Sequence, residues 1–254
     1  MLNIFSYNFL FKKEVYMLKD LGKYIFMFEL GLKYKKIFKE SYFHPFITLK
    51  YGYERLSKAR GEYSNQVLDF LNIKVKLNGT LPKEDKILYA INHRSLLDIL
   101  VMENIFSRYE KNGTWIAKQE LFEDPIYGEF FQYSGCIAVD LENKRGLLNF
   151  FKTIKKIFSK VDNMNLYIFP EGERFKGDGI QKFQSGAQKI AKANNLKIVP
   201  VYIKGKNEEV FKKSPYRDPY TVEVYVGTPM DHENLEENYL NFYNKIMQED
   251  KRDA

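Results

Sequence analysis

From about residue 72 onward, short runs of β-branched and aliphatic residues alternate with longer stretches in which apolar residues recur every three or four positions. The short runs predict strands, and the longer stretches predict helices. The predicted strands are 73–77, 86–91, 114–117, 135–140, 165–169, 197–203 and 221–227, and the predicted helices lie near 96–109, 144–161, 183–194 and 233–248. This alternation is typical of an α/β domain with a mostly parallel or mixed central sheet flanked by helices. Because no long Gly-, Ser- or Pro-rich linker interrupts residues 71–254, we treat them as one domain.

Residues 1–70 have a different pattern, in which aromatic and aliphatic residues such as Phe26 and Phe28 alternate with lysines such as Lys33 and Lys36. This mixture is typical of an amphipathic helical arm in a membrane interface, with its basic groups near anionic headgroups. A helical pair that packs on the rest of the chain is the alternative.

The longest uncharged run of this segment is residues 1–11, which is shorter than the ~18–20 apolar residues of a membrane-spanning helix. The segment also lacks the charged start and the small-residue cleavage site of a secretory signal. We therefore expect a peripheral or monotopic protein at the cytoplasmic face of a membrane.

Charge and composition narrow the possible partners. The formal net charge of +7 lies entirely in residues 1–60, so the rest of the chain is neutral and we expect no nucleic acid partner. The single cysteine, Cys136, excludes a disulfide within the chain. With only three histidines beside it, we also expect no metal site.

A histidine follows one of the predicted strands directly. The strand 86–91 is followed by Asn92-His93-Arg94-Ser95, and the carboxyl ends of strands are where α/β sheets carry their sites. Asp98 can hold the His93 ring if His93 lies in the turn before the next helix, with Ser95 as the N-cap. The alternative is a capping box formed by Ser95 and Asp98 alone.

A second polar segment, Phe169-Pro170-Glu171-Gly172-Glu173-Arg174, follows the strand 165–169 at the same predicted edge. Gly172 allows the backbone to approach a ligand, and Arg174 suits a bidentate phosphate contact. A solvated polar turn is the alternative.

Four ordered blocks over residues 75–205 make the chain similar to the glycerolipid acyltransferases. The blocks are His93-x4-Asp98, Gly135-Cys-Ile-Ala-Val-Asp140, Phe169-Pro-Glu-Gly-Glu-Arg174 and Val199-Pro200-Val201. The chain departs from the family pattern at Leu141, where an arginine is usual, and at Glu173, where a threonine is usual.

The resemblance implies transfer of a fatty acyl group from an acyl thioester to the 2-hydroxyl of 1-acyl-glycerol-3-phosphate, in phospholipid biosynthesis. His93 would be the general base, Asp98 would fix its tautomer, and backbone N–H groups near the His93 turn are candidate oxyanion donors. The implied substrate-binding residues are Glu171, Gly172, Arg174, Gly135 and Pro200, with Lys144 and Arg145 as the nearest substitutes for the missing arginine. Cys136 is expected to be a small buried hydrophobic residue and not an acyl carrier.

The resemblance implies acyl-coenzyme A or acyl carrier protein as the source of the acyl group, and no cofactor. The basic residues between 204 and 217 are candidates for contacting the donor, with a solvated loop as the alternative. Acylation of another acceptor (glycerol-3-phosphate, another lysophospholipid or an aminolipid) and a non-catalytic membrane-binding role also remain open.

Overall fold

The computed structural model describes residues 3–125, 127–140 and 143–253, with the side chains of 21–125, 127–140, 143 and 145–252. The helices are α1 (Asn3–Tyr42), α2 (Leu49–Leu71), α3 (Leu97–Arg108), α4 (Gly128–Tyr133), α5 (Lys144–Lys160), α6 (Gly186–Asn194), α7 (Asn207–Lys213) and α8 (Leu235–Asp253), with a short 3-10 helix at Gln119–Phe122. The strands are β1 (Ile73–Asn78), β2 (Ile87–Ile91), β3 (Gly113–Lys118), β4 (Ile137–Val139), β5 (Asn165–Ile168), β6 (Lys197–Ile203) and β7 (Tyr220–Val226).

The seven strands form one sheet in the order β1-β7-β6-β2-β5-β3-β4. All neighbours are parallel except β6 and β7, which are antiparallel. The carboxyl ends of β2, β5 and β3 therefore meet at one edge, which we call the carboxyl edge. All seven predicted strands and the mixed α/β fold class are confirmed.

Both faces of the sheet are covered, so the central strands are apolar along their whole length. Every residue of β2 and β5 is buried. Alternate residues of β2 face opposite layers: Tyr89 and Ile91 belong to a core shared with α2 and α3, and Leu88 and Ala90 belong to a core shared with α5 and α6.

The helix α2 is part of the first of these cores. It begins at the N-cap Thr48, whose hydroxyl accepts the N–H of Tyr51, and it ends at Asn72 in the left-handed conformation. Its buried residues include Leu56, Val67 and Leu71. Residues 49–71 are therefore integrated with the sheet, and the expected boundary at residue 70 does not separate two packing units.

One face of α1 packs on α2 through Leu30, Tyr34 and Phe38, which are buried. Within the ranges that the structure describes, none of the helices combines the length and apolar character needed to cross a membrane. The side chains of residues 1–11, the longest uncharged run of the sequence analysis, lie outside the part of the chain that the structure describes.

Candidate active site

His93 and Asp98 are in contact at the carboxyl edge of β2. The ring nitrogen Nδ1 of His93 lies 3.1 Å from the Asp98 Oδ2 atom. His93 lies in the turn between β2 and α3, which is the position that the pairing requires. Asp98 is fully buried, whereas 12% of the His93 side chain is exposed. The Nδ1 side of the ring is therefore held by the buried carboxylate, while part of the ring remains accessible to solvent.

The Asp98 carboxylate also fixes the turn itself. Its Oδ2 atom accepts the backbone N–H groups of Arg94 at 2.6 Å and of Ser95 at 2.7 Å. The N-cap is Leu96, one residue later than expected, while the Ser95 hydroxyl accepts the N–H of Leu97 at 3.2 Å. One carboxylate thus contacts the ring and accepts the N–H of Ser95. The expected capping box is only half formed, because the Asp98 N–H donates to the Ser95 carbonyl and not to its hydroxyl.

An aromatic stack supports the other side of the ring. The His93 ring lies 3.8 Å from the Phe169 ring at an interplanar angle of 8°, and Phe169 stacks in turn on Trp115 at 4.9 Å. The Trp115 indole N–H donates to Glu103 at 2.7 Å, and Glu103 forms a buried salt bridge with Arg60 of α2. The ring face is thereby anchored to the core.

Glu171 is fully buried, so it is not positioned to contact a substrate as expected. Its Oε1 atom accepts the backbone N–H of His93 at 2.7 Å, and its Oε2 atom accepts that of Gln181 at 3.1 Å. Burial raises the pKa of the Glu171 carboxyl, and these two N–H groups offset part of the rise. Glu171 therefore ties the His93 turn to the 169–181 loop.

This loop is bound to the His93 turn from both sides. Gly172 has φ +77°, a conformation that disfavours other residues, and the N–H of Phe175 donates to the His93 carbonyl at 2.9 Å. The Arg94 guanidinium donates to carbonyls of the loop, including that of Phe175. Arg174 is exposed and, among the residues that the structure describes, its side chain forms no hydrogen bond or salt bridge. Arg174 is therefore available to a ligand beside His93.

Two expected substrate-binding residues lie away from His93. The registers of β4 with β3, β3 with β5 and β5 with β2 place Gly135 level with Leu88, five residues or about 16 Å before His93 along the strand direction. Gly135 has φ +86°, and a side chain there would meet Leu56. The small residue is thus needed for packing against α2, and the expected pocket contact of Gly135 is corrected.

Pro200 pairs with Ala90 inside the sheet and is buried. Its ring lies against Gly227, on the face opposite α3. The expectation that Pro200 contacts substrate is therefore also corrected.

The expected substitutes for the missing arginine lie at the start of α5. Asn143 caps this helix by accepting the N–H groups of Arg145 and Gly146. The side chain of Arg145 is exposed at the carboxyl edge, but β4 is three strands from β2, which is about 14 Å across the sheet. Leu141 and the side chain of Lys144 lie outside the described residues.

The expected oxyanion donors are already engaged. The N–H groups of His93, Arg94 and Ser95 donate inward to Glu171 and Asp98. They cannot also point toward a substrate carbonyl, so this expectation is corrected for residues 93–95.

Most lysines of the 204–217 segment have acidic neighbours. Lys204 contacts Glu223 and Asp250, and the α7 lysines Lys212 and Lys213 contact glutamates one turn earlier. This arrangement favours the solvated-loop alternative over a donor-binding patch. Cys136 is half-buried, its sulfur lies 3.3 Å from the Ser134 hydroxyl, and burial raises the pKa of its thiol.

Two residues at this edge were missed by sequence reasoning. The Asn92 side chain bonds both backbone groups of Ile203 and so fastens the end of β2 to β6. Asn207 donates to the Asp98 Oδ1 atom at 2.8 Å. The position of Asn92 between a buried strand and His93 was a usable signal, whereas Asn207 lies 109 residues from Asp98 and gave none.

The family model described as Acyltransferase matches residues 72–204. A 1-acyl-sn-glycerol-3-phosphate acyltransferase of Helicobacter pylori is 42% identical over 118 residues, which are 46% of this chain and 47% of that protein. One from Cocos nucifera is 27% identical over 200 residues, covering 78% of this chain and 64% of that protein. The chain thus spans about half to two thirds of the length of these relatives.

Among solved structures, the chain is similar to the 1-acyl-sn-glycerophosphate acyltransferase of Thermotoga maritima. The TM-score is 0.58 at 20% identity, covering 88% of this chain and 94% of that one. This likeness agrees with the fold described above.

Proposed function

The chain belongs to the acyltransferase family, and from that premise we propose that it moves a fatty acyl group from an acyl thioester to the 2-hydroxyl of 1-acyl-glycerol-3-phosphate. The relatives from Helicobacter pylori and Cocos nucifera carry the name of this activity. The observation that carries the proposal is the 3.1 Å contact of His93 with a buried carboxylate at an accessible sheet edge. The product would be phosphatidate, the intermediate of phospholipid biosynthesis.

In this mechanism His93 is the general base. Because Asp98 accepts the Nδ1 proton, the Nε2 atom carries the lone pair and takes the proton of the attacking hydroxyl. The hydroxyl oxygen forms a bond to the thioester carbonyl carbon, the C–S bond then breaks, and His93 returns the proton to the departing sulfur. Asp98 stabilises the imidazolium between these two steps. The substrate hydroxyl is the nucleophile, so no acyl-enzyme forms.

We assign the phosphate of the acceptor to Arg174. Its guanidinium is exposed, and its backbone neighbour Phe175 is bonded to the His93 carbonyl at 2.9 Å. A bidentate contact of the phosphate with this guanidinium would anchor the acceptor in the loop that is bonded to the His93 turn, and anchoring helps to orient its hydroxyl toward the base. The absence of a side chain at Gly172 allows the backbone of this turn to pack closely against Gln184. The donor is acyl-coenzyme A or acylated acyl carrier protein as co-substrate, and the chemistry described needs no cofactor.

The proposal extends to binding at a membrane surface through α1. The exposed residues Leu21, Ile25, Phe28 and Leu32 recur at spacings of four, three and four, so they form one apolar stripe along α1. This stripe lies opposite the face that packs on α2, and the exposed Lys36 and Lys39 follow at its end. Phe46, in the connection to α2, is 91% exposed. This arrangement suits a helix lying in an anionic interface, at the cytoplasmic face where the thioester donors occur.

Thiol release from acyl-coenzyme A tests the reaction. The protein on anionic liposomes is given 1-acyl-glycerol-3-phosphate, glycerol-3-phosphate, another lysophospholipid or no acceptor, beside His93→Ala. We expect release that depends on 1-acyl-glycerol-3-phosphate and falls by about 10²- to 10⁴-fold in the variant. Release with another acceptor only would change the substrate assignment. Silence with every acceptor and with acyl carrier protein as donor, in folded and bound protein, would leave the non-catalytic binder.

Liposome sedimentation tests the membrane surface. The double substitution of Ile25 and Phe28 by serine should release the protein from anionic liposomes, while Tyr109→Ser, an exposed aromatic residue at the end of α3, should not. Equal binding of both variants would contradict the assignment of the stripe.

A further inference from the structure

The short helix α7 connects the Asp98 carboxylate to the N-terminal helix. Its first residue, Asn207, is fully buried and donates its side-chain N–H to the Asp98 Oδ1 atom at 2.8 Å. The Oδ1 atom of Asn207 is buried and has no hydrogen-bond partner within the described residues. The amide is thus placed for its contact with Asp98 alone.

This contact completes the coordination of the Asp98 carboxylate. The Oδ2 atom serves His93 and two backbone N–H groups, whereas the Oδ1 atom depends on Asn207. A buried carboxylate oxygen without a donor is costly, so the carboxylate would rotate to share its remaining donors. Such a rotation changes the direction from which it meets the His93 ring.

The other end of α7 is held by α1. Lys23 is 1% exposed, and its Nζ atom donates to the carbonyls of Phe211, Lys212 and Ser214 at 3.2–3.3 Å. A cation at a helix C-terminus satisfies carbonyls that the helix itself leaves open. The Nζ atom also lies 5.1 Å from the centre of the Phe211 ring. The contacts fix the position of α7 along its axis.

From these contacts we propose that Asn207 is a positioning residue for the Asp98–His93 pair, and that Lys23 holds the helix that carries it. The inference rests on the proposed function for the role of His93. Lys23 lies between Leu21 and Ile25 in the chain, on the opposite side of α1 from the apolar stripe. The helix proposed to lie on the membrane therefore also supports the catalytic carboxylate, through about 10 Å of α7.

The ring tautomer of His93 is a readout that does not depend on turnover. The chain has three histidines, so ring ¹⁵N spectra are simple and His93→Gln assigns the signal. In the unchanged protein we expect the neutral ring to carry its proton on Nδ1. Asn207→Ala and the milder Asn207→Ser should each give a mixture of both tautomers, with a larger change in the alanine variant.

Kinetics supply the second readout. Because the role of Asn207 is to orient the base, Asn207→Ala should lower kcat by roughly 10- to 100-fold with KM changed by less than about threefold. Asn104→Ala is the matched control, since Asn104 lies on the same helix as Asp98 and bonds only Asn65 in the described residues. It should leave tautomer and kcat unchanged.

Lys23→Met tests the second half of the proposal, with Lys58→Met, at an exposed lysine of α2, as the control. We expect Lys23→Met to shift the tautomer mixture in the same direction as Asn207→Ser. An unchanged tautomer in folded Asn207→Ala or Asn207→Ser would overturn the role of Asn207. A changed tautomer there but not in Lys23→Met would overturn the role of Lys23. If the protein transfers no acyl group at all, the proposed function fails while the tautomer still decides this inference.

Discussion

The buried salt bridge between Arg60 and Glu103 gives the sharpest stability prediction. The two side chains are 7% and 3% exposed, and the Arg60 Nε atom lies 2.7 Å from the Glu103 Oε1 atom. Glu103→Gln keeps the size of the side chain but removes its charge. The Arg60 guanidinium would then be left with neutral acceptors only, such as the Ser134 carbonyl at 2.7 Å. A buried cation that loses its counter-charge costs about 3–5 kcal/mol.

For a chain of this length, each kcal/mol lowers the melting temperature by about 2–4 °C, so we expect Glu103→Gln to melt about 6–20 °C lower. Differential scanning calorimetry and urea unfolding measure this loss. The same substitution at Glu209, in an exposed pair with Lys213, should cost no more than about 0.5 kcal/mol.

A double-mutant cycle identifies the cause. Arg60→Met combined with Glu103→Gln removes both charges, keeps an acceptor for the Trp115 indole N–H, and should recover most of the loss because no unpaired charge remains in the core. A coupling energy below about 1 kcal/mol would refute the reasoning, since the cost of Glu103→Gln would then come from packing and not from the stranded cation.

Three further predictions follow from burial and backbone geometry. Cys136→Ala should retain full acyl transfer, because burial raises the pKa of the thiol and the proposed mechanism uses the substrate hydroxyl as the nucleophile. A folded but inactive variant would contradict direct attack. Burial raises the pKa of the Glu171 carboxyl, so the folded protein binds this proton more tightly than the unfolded chain does. The free energy of unfolding of the native protein, relative to that of Glu171→Gln, should therefore fall as the pH rises from about 4.5 and level off above the raised pKa. Urea unfolding from pH 4 to 8 measures this difference, and the opposite trend would show that burial is not the dominant cause. Gly135→Ala should lower the free energy of unfolding by at least about 1 kcal/mol, because Gly135 has a positive φ and the new methyl group would meet Leu56. The kcat/KM of the folded variant should stay within about twofold of the unchanged protein. A loss of activity without a loss of folding would return Gly135 to the active site.

The strands and the His93–Asp98 contact could be predicted from the sequence, whereas the two short helices could not. The central strands β2 and β5 were predictable because both faces of the sheet are covered there, which makes them compact apolar runs. β1 and β7 were predictable from the alternation of aliphatic residues with polar residues. The helices α4 and α7 were missed because six or seven residues are too few to show a helical period. The contact of His93 with Asp98 was predictable because the two residues lie five positions apart, and local spacing limits where they can meet.

One of the expectations that needed correction concerns the direction of a side chain. Glu171 and Arg174 are three residues apart in one motif, but one carboxylate points into the protein and one guanidinium points out. A motif supplies the residues of a turn but not which of them the neighbouring backbone will use. Glu171 points inward because it accepts the backbone N–H of His93, which lies 78 residues away in the chain. The Glu171 motif alone therefore could not predict this direction.

The order of strands in the sheet also has a consequence for the timing of synthesis. β1 is made early, but its neighbour in the sheet is β7, and the paired residues Ile73 and Tyr220 are separated by most of the chain. During translation the ribosome releases β1 long before a partner exists, so its backbone stays unpaired until β7 emerges. The helix α7, which carries Asn207, precedes β7 by only a few residues, so the two elements are translated within a short interval of each other. Nascent chains arrested before residue 220 lack β7, so we expect the edge of β1 to stay unpaired in them even though α7 has already been made.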